Sequence, residues 1–191
     1  MAKQTTREMT DRRGGPAGAA TDRADSSFVD TVISVRRVTK VTKGGKRFSF
    51  SAFVVSGDQK GNVGIGLGKS REASSAIAKA TLRARKTMIP VALRNNTLTY
   101  DVTGRHGASS VILRAACKGT GVVAGKAVRA VMVALGVKDV LAKVIGKTRS
   151  GQNIVKATLH ALAKCRSAKH LADLRGKTIL EIAKGSHVSA Q

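Results

Sequence analysis

The stretch GKRFSFSAFVVSGDQKGNVGIGLGKSRE, residues 45–72, predicts two strands joined by a turn. Apolar residues recur at every second position of its first half, which places them on one face of a strand: Phe48, Phe50, Ala52 and Val54. Its second half alternates three aliphatic residues with three glycines: Val63, Gly64, Ile65, Gly66, Leu67 and Gly68. Such a strand has one packed face and one bare face that another backbone can approach closely.

The flanking residues extend these two strands into a β-β-β-α unit. Upstream, residues 31–42 alternate loosely between apolar and polar side chains and are rich in β-branched residues, so they predict another strand. The sequence KGGK at 43–46 predicts the hairpin turn that joins it to the next strand. Downstream, residues 71–88 predict a helix with Ser70 as its N-cap and Pro90 just beyond its end.

Beyond residue 91 the pattern predicts a second module. Strands are predicted at 91–94, 98–103, 110–116 and 140–145, and helices at 122–135 and 153–164. We therefore predict an α+β protein with two small domains. The predicted divisions are a flexible tail at 1–27, a first domain at 28–91, a second domain at 92–166 and a C-terminal extension at 167–191.

The charge of the chain indicates an anionic partner. Lys and Arg number 35 against 11 Asp and Glu, a formal net charge of +24, and residues 1–27 hold only +1 of it. A strongly basic folded body is typical of a nucleic-acid-binding protein. Hydrophobic residues make up 42% of the chain, which excludes a disordered polycation. The longest apolar run is far shorter than the ~18 residues of a membrane span, so no membrane partner is expected.

Two glycine-rich motifs invite a nucleotide-binding interpretation. GIGLGKS at 64–70 lacks the first glycine of a Walker A loop, because Val63 occupies that position. Residues 119–124, GTGVVA, fit the dinucleotide fingerprint, and Asp139 lies about 20 residues further on. For residues 119–124 we favour a turn that serves packing or close approach by a partner, because too little chain follows to form the second half of a dinucleotide-binding domain. A nucleotide-binding enzyme using Gly119–Ala124 stays an alternative, as does a non-specific DNA-binding protein.

No active site, metal site or cofactor site is predicted. The acidic residues of the folded body are few and form no convincing local pair. The four histidines lack ligand spacing, and Cys117 and Cys165 predict two buried free thiols in a reducing cytoplasm. The sequence KRFSFSAF at 46–53 resembles an RNA-binding RNP1 strand, but core packing of Phe48 and Phe50 is favoured, because aromatic residues are only 3% of the chain. We predict a protein that is not an enzyme and has no small-molecule substrate.

Paired cations next to glycines predict phosphate binding in the first domain. Few acidic residues are available there as salt-bridge partners, and glycine lets a phosphate approach the backbone. The predicted RNA-binding residues are Arg36, Arg37, Lys40, Lys43, Gly44, Gly45, Lys46, Arg47, Lys69 and Arg71.

At these residues the chain resembles the bacterial small-subunit ribosomal protein S5 family. The resemblance runs from about Val32 to Ile182, is most specific at 45–72, and includes GTGVVAGKAVRAV at 119–131 and VLAKVIG at 140–146. It implies a first domain of the double-stranded-RNA-binding type without its leading helix, and a β-β-β-α-β-α second domain. It also implies a cytoplasmic component of the small subunit that binds ribosomal RNA, stabilises head relative to body and lies near the messenger RNA entry path.

The resemblance further implies roles for individual residues. Residues 36–47 correspond to the loop that enters ribosomal RNA, and Thr39, Lys43 and Gly44 fall where the family lines the spectinomycin pocket. Gly121 and Arg129 match positions at the interface with the neighbouring protein S4, where they affect translational accuracy. The C-terminal extension would contact the neighbouring protein S8.

Overall fold

The computed structural model describes residues 28–184, so the predicted tail at 1–27 and the last residues of the extension lie outside the described residues. Within this range the chain forms two α+β units, which confirms the predicted fold class. The first unit is a four-stranded antiparallel sheet, in the order β1-β2-β3-β4, with one helix. Its elements are β1 Val29–Thr42, β2 Gly45–Gly57, β3 Asn62–Ser70, α1 Ala73–Lys86 and β4 Ile89–Pro90.

The glycine-bearing face of β3 lies directly against α1, as the alternation predicts. A Cβ added at Gly64, Gly66 or Gly68 would overlap a carbonyl oxygen of the helix backbone. The helix faces these glycines with its buried alanines, Ala76, Ala80 and Ala84. The backbones of helix and strand are therefore in direct contact, and a larger residue at any of these three glycine positions would prevent this contact.

The predicted start of α1 is wrong. Ser70 is the last residue of β3, and the N-cap is Glu72, whose backbone is extended at φ −107° and ψ 148°. At the other end, the Thr87 hydroxyl donates to the carbonyl of Ile65 over 3.0 Å and so ties the helix terminus to β3. The pairing of β2 with β3 continues to Ser70, so the sheet extends through residues that local capping signals assign to the helix.

The second unit is a four-stranded sheet, in the order β7-β8-β10-β9, with a separate two-stranded ribbon β5-β6. Its elements are β5 Leu93–Arg94, β6 Thr97–Leu98, β7 Val102–His106, β8 Ser109–Ala115, β9 Val122–Val123, α2 Lys126–Leu135, β10 Val140–Ile145, α3 Gly151–Leu162, α4 Ala168–Arg175 and α5 Ile179–Lys184.

Two predictions for this unit are wrong in detail. The helix predicted at 122–135 begins only at Lys126, because Val122–Val123 pairs in parallel with β10. The strand predicted at 98–103 is divided between β6 and β7, and β7 continues to His106. The end of α2 is confirmed, since Gly136 adopts the left-handed conformation at φ +88°.

The two units share one hydrophobic core. Phe53 and Val55 of β2 belong to the same buried cluster as Met132 and Leu135 of α2. The turn between β2 and β3 docks on the end of α2, where the backbone amide of Gln59 donates to the carbonyl of Ala134 over 3.0 Å. This contact fixes where the hairpin of β1 and β2 lies relative to the second unit.

The docked turn is held by one carboxylate. Asp58 accepts hydrogen bonds from the backbone amides of Lys60, at 2.8 Å, and Asn62, at 3.0 Å, and from the Asn62 side chain. Burial opposes ionisation of Asp58, yet the hydrogen bonds from Asn62 and Lys60 outweigh it and lower the pKa of the carboxyl group. The turn that joins the two units is therefore built around an ionised side chain.

Candidate nucleic-acid interface

The hairpin of β1 and β2 projects beyond the rest of its sheet. Strand β3 ends at Ser70, which pairs with Phe50, so residues 38–42 and 45–49 pair only with each other. We call these two arms and their turn the basic ribbon. Five residues per arm at ~3.3 Å each give a projection of about 17 Å. A two-stranded ribbon of this length fits into a nucleic-acid groove or between RNA helices.

One face of the basic ribbon brings cations directly opposite each other. Lys40 pairs with Arg47 across the two strands, and both side chains are exposed. Within residues 28–184 neither side chain forms an ion pair with an acid. Like charges directly opposite each other destabilise a sheet, so this arrangement is favourable only when an anion lies between them.

The same face continues across the base of the ribbon. Arg36 pairs with Ser51, and Ser51 pairs with Lys69, so both cations lie in one cross-strand row. A groove of about 680 Å³ runs beside the ribbon, and its lining includes Lys40, Arg47 and Arg71. The structure therefore places one or more predicted cations from each of the three strands on one face: Arg36, Lys40, Arg47 and Lys69.

The opposite face carries a stacked cation. The guanidinium carbon of Arg37 lies 3.7 Å from the centre of the Phe48 ring, and Phe48 is 45% exposed. The prediction that Phe48 packs in the core is therefore wrong, because β3 and α1 do not reach this part of the ribbon. Phe50, one pair nearer the sheet, does pack against the cluster of Ala52 and Val54. A guanidinium held over an exposed ring lies at the surface, where RNA can reach it.

The tip of the ribbon exposes its backbone. The turn is formed by Lys43 and Gly44, and the hydroxyl of Thr42 donates to the carbonyl of Gly45 over 3.1 Å. A Cβ at Gly44 or Gly45 would meet no atom within 4 Å. Together with Lys46, the tip presents two cations and an open main chain, which suits close contact with a phosphate. Thr39 is exposed on the arm behind it.

Gly119 and Gly121 form a loop of the second unit, and its amides are already occupied. The backbone amides of both glycines donate to Oδ1 of the buried Asp139, each at 3.0 Å. A bound pyrophosphate would need these amides, and it would also need a helix that starts at the motif. Here α2 begins at Lys126, after a short strand. The geometry therefore argues against the nucleotide-binding alternative.

The same loop is open towards the outside of the molecule. Gly121 has φ +73°, and a Cβ there would meet no atom within 4 Å. The guanidinium of Arg129 donates to the carbonyl of Val122 over 3.2 Å and so braces the strand that follows the loop. The open space does not support a packing role for these glycines within the described part of the chain. Both have a positive φ, +95° at Gly119 and +73° at Gly121, so the loop conformation itself favours glycine.

The remaining cysteines and histidines among residues 28–184 form no metal site. Cys165 is buried, and burial raises the pKa of its thiol, but Cys117 is exposed, so the prediction of two buried thiols is wrong for Cys117. His106 and His160 stack edge to face with ring centres 5.1 Å apart. Among residues 28–184 no cluster of His, Cys, Asp and Glu could hold a metal ion. No helix in this range is both long and apolar enough to cross a membrane.

Comparison with known proteins identifies the family. The model of the ribosomal protein S5 N-terminal domain matches residues 28–92, and that of the S5 C-terminal domain matches residues 104–175. Small ribosomal subunit protein uS5 of Gluconacetobacter diazotrophicus is 49% identical over 172 residues, which cover 90% of this chain and 89% of that protein. The uS5 protein of Lawsonia intracellularis is 50% identical over 83% of this chain and 96% of its own length. The chain thus belongs to the ribosomal protein S5 family of the small ribosomal subunit.

Proposed function

We propose that the protein is a non-catalytic component of the cytoplasmic small ribosomal subunit and that its basic ribbon binds ribosomal RNA. The observation that carries this proposal is the pair Lys40 and Arg47, which lie directly opposite each other without an acidic partner among residues 28–184. Arg71 lines the same groove, and Arg36 and Lys69 extend its charge across the sheet. RNA phosphates at this face would relieve the repulsion between these cations and release bound counterions.

The resemblance assigns finer roles, which we include in the proposal. The ribbon fixes the head of the subunit relative to its body near the messenger RNA path, and Thr39, Lys43 and Gly44 line the spectinomycin pocket. Exposure of all three at or near the tip supports this placement. The partner at the open loop of Gly121 is S4. The partner of the C-terminal helices is S8, which is supported by three exposed apolar side chains there: Leu174, Ile179 and Leu180.

Reversal of charge at the ribbon tip tests the proposed role in the subunit. We expect Lys43→Glu with Lys46→Glu to lower the occupancy of the protein in purified small subunits about twofold or more, because two phosphate contacts become repulsive. Quantitative mass spectrometry of subunits from cells that also express the wild-type protein measures this occupancy. Lys138→Glu with Lys156→Glu is the matched control, since both lysines are exposed and lie in the second unit. Equal occupancy of the tip variant and the control would count against the role of the ribbon.

A substitution in the open loop tests the proposed effect on accuracy. We expect Gly121→Arg to change the misreading frequency, because a long cation would project into the space where S4 is proposed to bind. Gly121→Ala is the control, since it shares the unfavourable positive φ, at a cost of about 1 kcal/mol, but adds no long side chain. A misreading reporter and melting temperatures separate the two effects. Wild-type accuracy in Gly121→Arg would contradict the proposed interface.

A further inference from the structure

A second cationic cleft lies between the two units, at the base of the ribbon. Its volume is about 340 Å³, and it is bounded by β1 and by the beginnings of α2 and α3. Three cations from these three elements line it: Arg36, Lys126 and Arg149. Its floor is apolar and is formed by Ile33, Val128, Val144 and Ile154.

The charges of this cleft are not compensated within the described part of the chain. No acidic residue lines the cleft, and among residues 28–184 none of the three cations forms an ion pair. Lys126 is the first residue of α2, and Arg149 lies just before the N-cap of α3, so the positive ends of two helix dipoles add to the same field. All three side chains are exposed, so dissolved salt screens their repulsion and low salt strengthens it.

The cleft joins exposed side chains from two units that a shared core packs together. Arg36 belongs to the first unit, whereas Lys126 and Arg149 belong to the second. The contact between the β2–β3 turn and α2 fixes the spacing of the two units. An anion in the cleft would therefore contact both units at once, and it would favour the arrangement in which they are packed together.

We propose that this cleft is a phosphate-binding site that bridges the two units, and that its occupant in the assembled particle is a backbone phosphate of the same RNA that the basic ribbon binds. The inference rests on the proposed function for the identity of the RNA, but phosphate binding follows from the cleft itself. Arg36 is shared by the base of the ribbon and the cleft, so one RNA segment passing the ribbon base reaches both. Lys126 and Arg149 thereby gain a role in RNA binding.

Thermal melting of the full chain tests phosphate binding without RNA. The variant is Lys126→Gln with Arg149→Gln, and the control is Lys138→Gln with Lys156→Gln, which removes the same charge elsewhere. In chloride buffer at low ionic strength we expect the cleft variant to melt above the wild type, because repulsion is removed. Inorganic phosphate at matched ionic strength should raise the melting temperature of wild type and control by about 3 °C or more. The cleft variant should gain less than half as much. An equal gain in all three proteins would overturn the site.

Binding to small-subunit RNA tests the source of the phosphate. The slope of log K against log salt should become shallower by about 1.4 in the cleft variant, which corresponds to two lost contacts at ~0.7 each, and should stay unchanged in the control. An unchanged slope in the cleft variant, despite a lost response to phosphate, would overturn RNA as the occupant. Failure of the proposed function is a different result, because the wild-type protein would then not bind the RNA at all.

Discussion

Replacement of Lys40 and Arg47 by glutamine is expected to weaken binding to small-subunit ribosomal RNA about 15- to 30-fold at 0.15 M salt. Each phosphate contact adds about 0.7 to 0.9 to the slope of log K against log salt, and two contacts at this salt concentration give that factor. The two residues lie opposite each other on the basic ribbon and line one groove with Arg71. Filter binding or fluorescence anisotropy at fixed salt measures the change.

The stability of the same variant separates lost contacts from lost structure. Because Lys40 and Arg47 repel each other in the free protein, their replacement should leave the free energy of unfolding unchanged or raise it. A variant that binds weakly and also unfolds more easily would point to a structural defect instead. The control is Lys138→Gln with Lys156→Gln, which should lose less than about twofold in affinity if the ribbon is the main contact.

Gly66→Val is expected to have the largest effect on folding, a loss of about 3 to 5 kcal/mol in the free energy of unfolding. A Cβ at Gly66 would overlap the carbonyl oxygen of Ala80 and crowd the amide of Ala84, and both atoms belong to the backbone of α1. A side chain could rotate away, but a helix backbone has to move as a whole. Since domains are stable by only about 5 to 15 kcal/mol, this loss is a large fraction of the total free energy of unfolding.

Urea denaturation followed by circular dichroism measures this loss. Gly44→Val is the matched control, because the same side chain at the ribbon tip would meet no atom within 4 Å. We expect the control to unfold within about 0.5 kcal/mol of the wild type. If Gly66→Val has the wild-type midpoint, α1 does not pack on β3 as the structure shows.

The parts of the fold that were predictable depend on neighbours in sequence. The alternation of glycine with Val63, Ile65 and Leu67 specifies a strand with one bare face whichever element covers it. The KGGK segment likewise predicts the hairpin. A turn at its two glycines would place Lys40 opposite Ser49, whereas the turn lies at Lys43–Gly44 and places Lys40 opposite Arg47. Period-two patterns and turns are local properties, so the central cations of the site could be found before the structure.

The wrong predictions depend on partners distant in sequence. Phe48 and Phe50 follow the same alternation, but only Phe50 is covered, because β3 ends at Ser70. Val122–Val123 continues the apolar pattern of α2, yet it forms a strand because β10 is available to pair with it. No signal within a short window distinguishes these outcomes.

The cleft between the units could not be predicted for a related reason. Arg36 lies 90 residues before Lys126 and in the other unit, and the packing of α2 against β1, β2 and the β2–β3 turn brings them to one surface. The structural role of Asp139 was also not predicted, although an acidic residue is unusual in so basic a chain. Its carboxylate holds the amides of Gly119 and Gly121, whereas the motif suggested a ribose partner.

The salt dependence of binding to purified small-subunit ribosomal RNA tests the central claim most directly. About eight cations lie on the ribbon and its base: Arg36, Arg37, Lys40, Lys43, Lys46, Arg47, Lys69 and Arg71. If all eight cations contact phosphate, log K for the wild type should fall with log salt at a slope of about −6 to −7. For the variant with glutamine at Lys40 and Arg47, the magnitude of this slope should be smaller by about 1.4 to 1.8. A wild-type affinity that does not change with salt, or a variant with the wild-type slope, would contradict RNA binding by the basic ribbon.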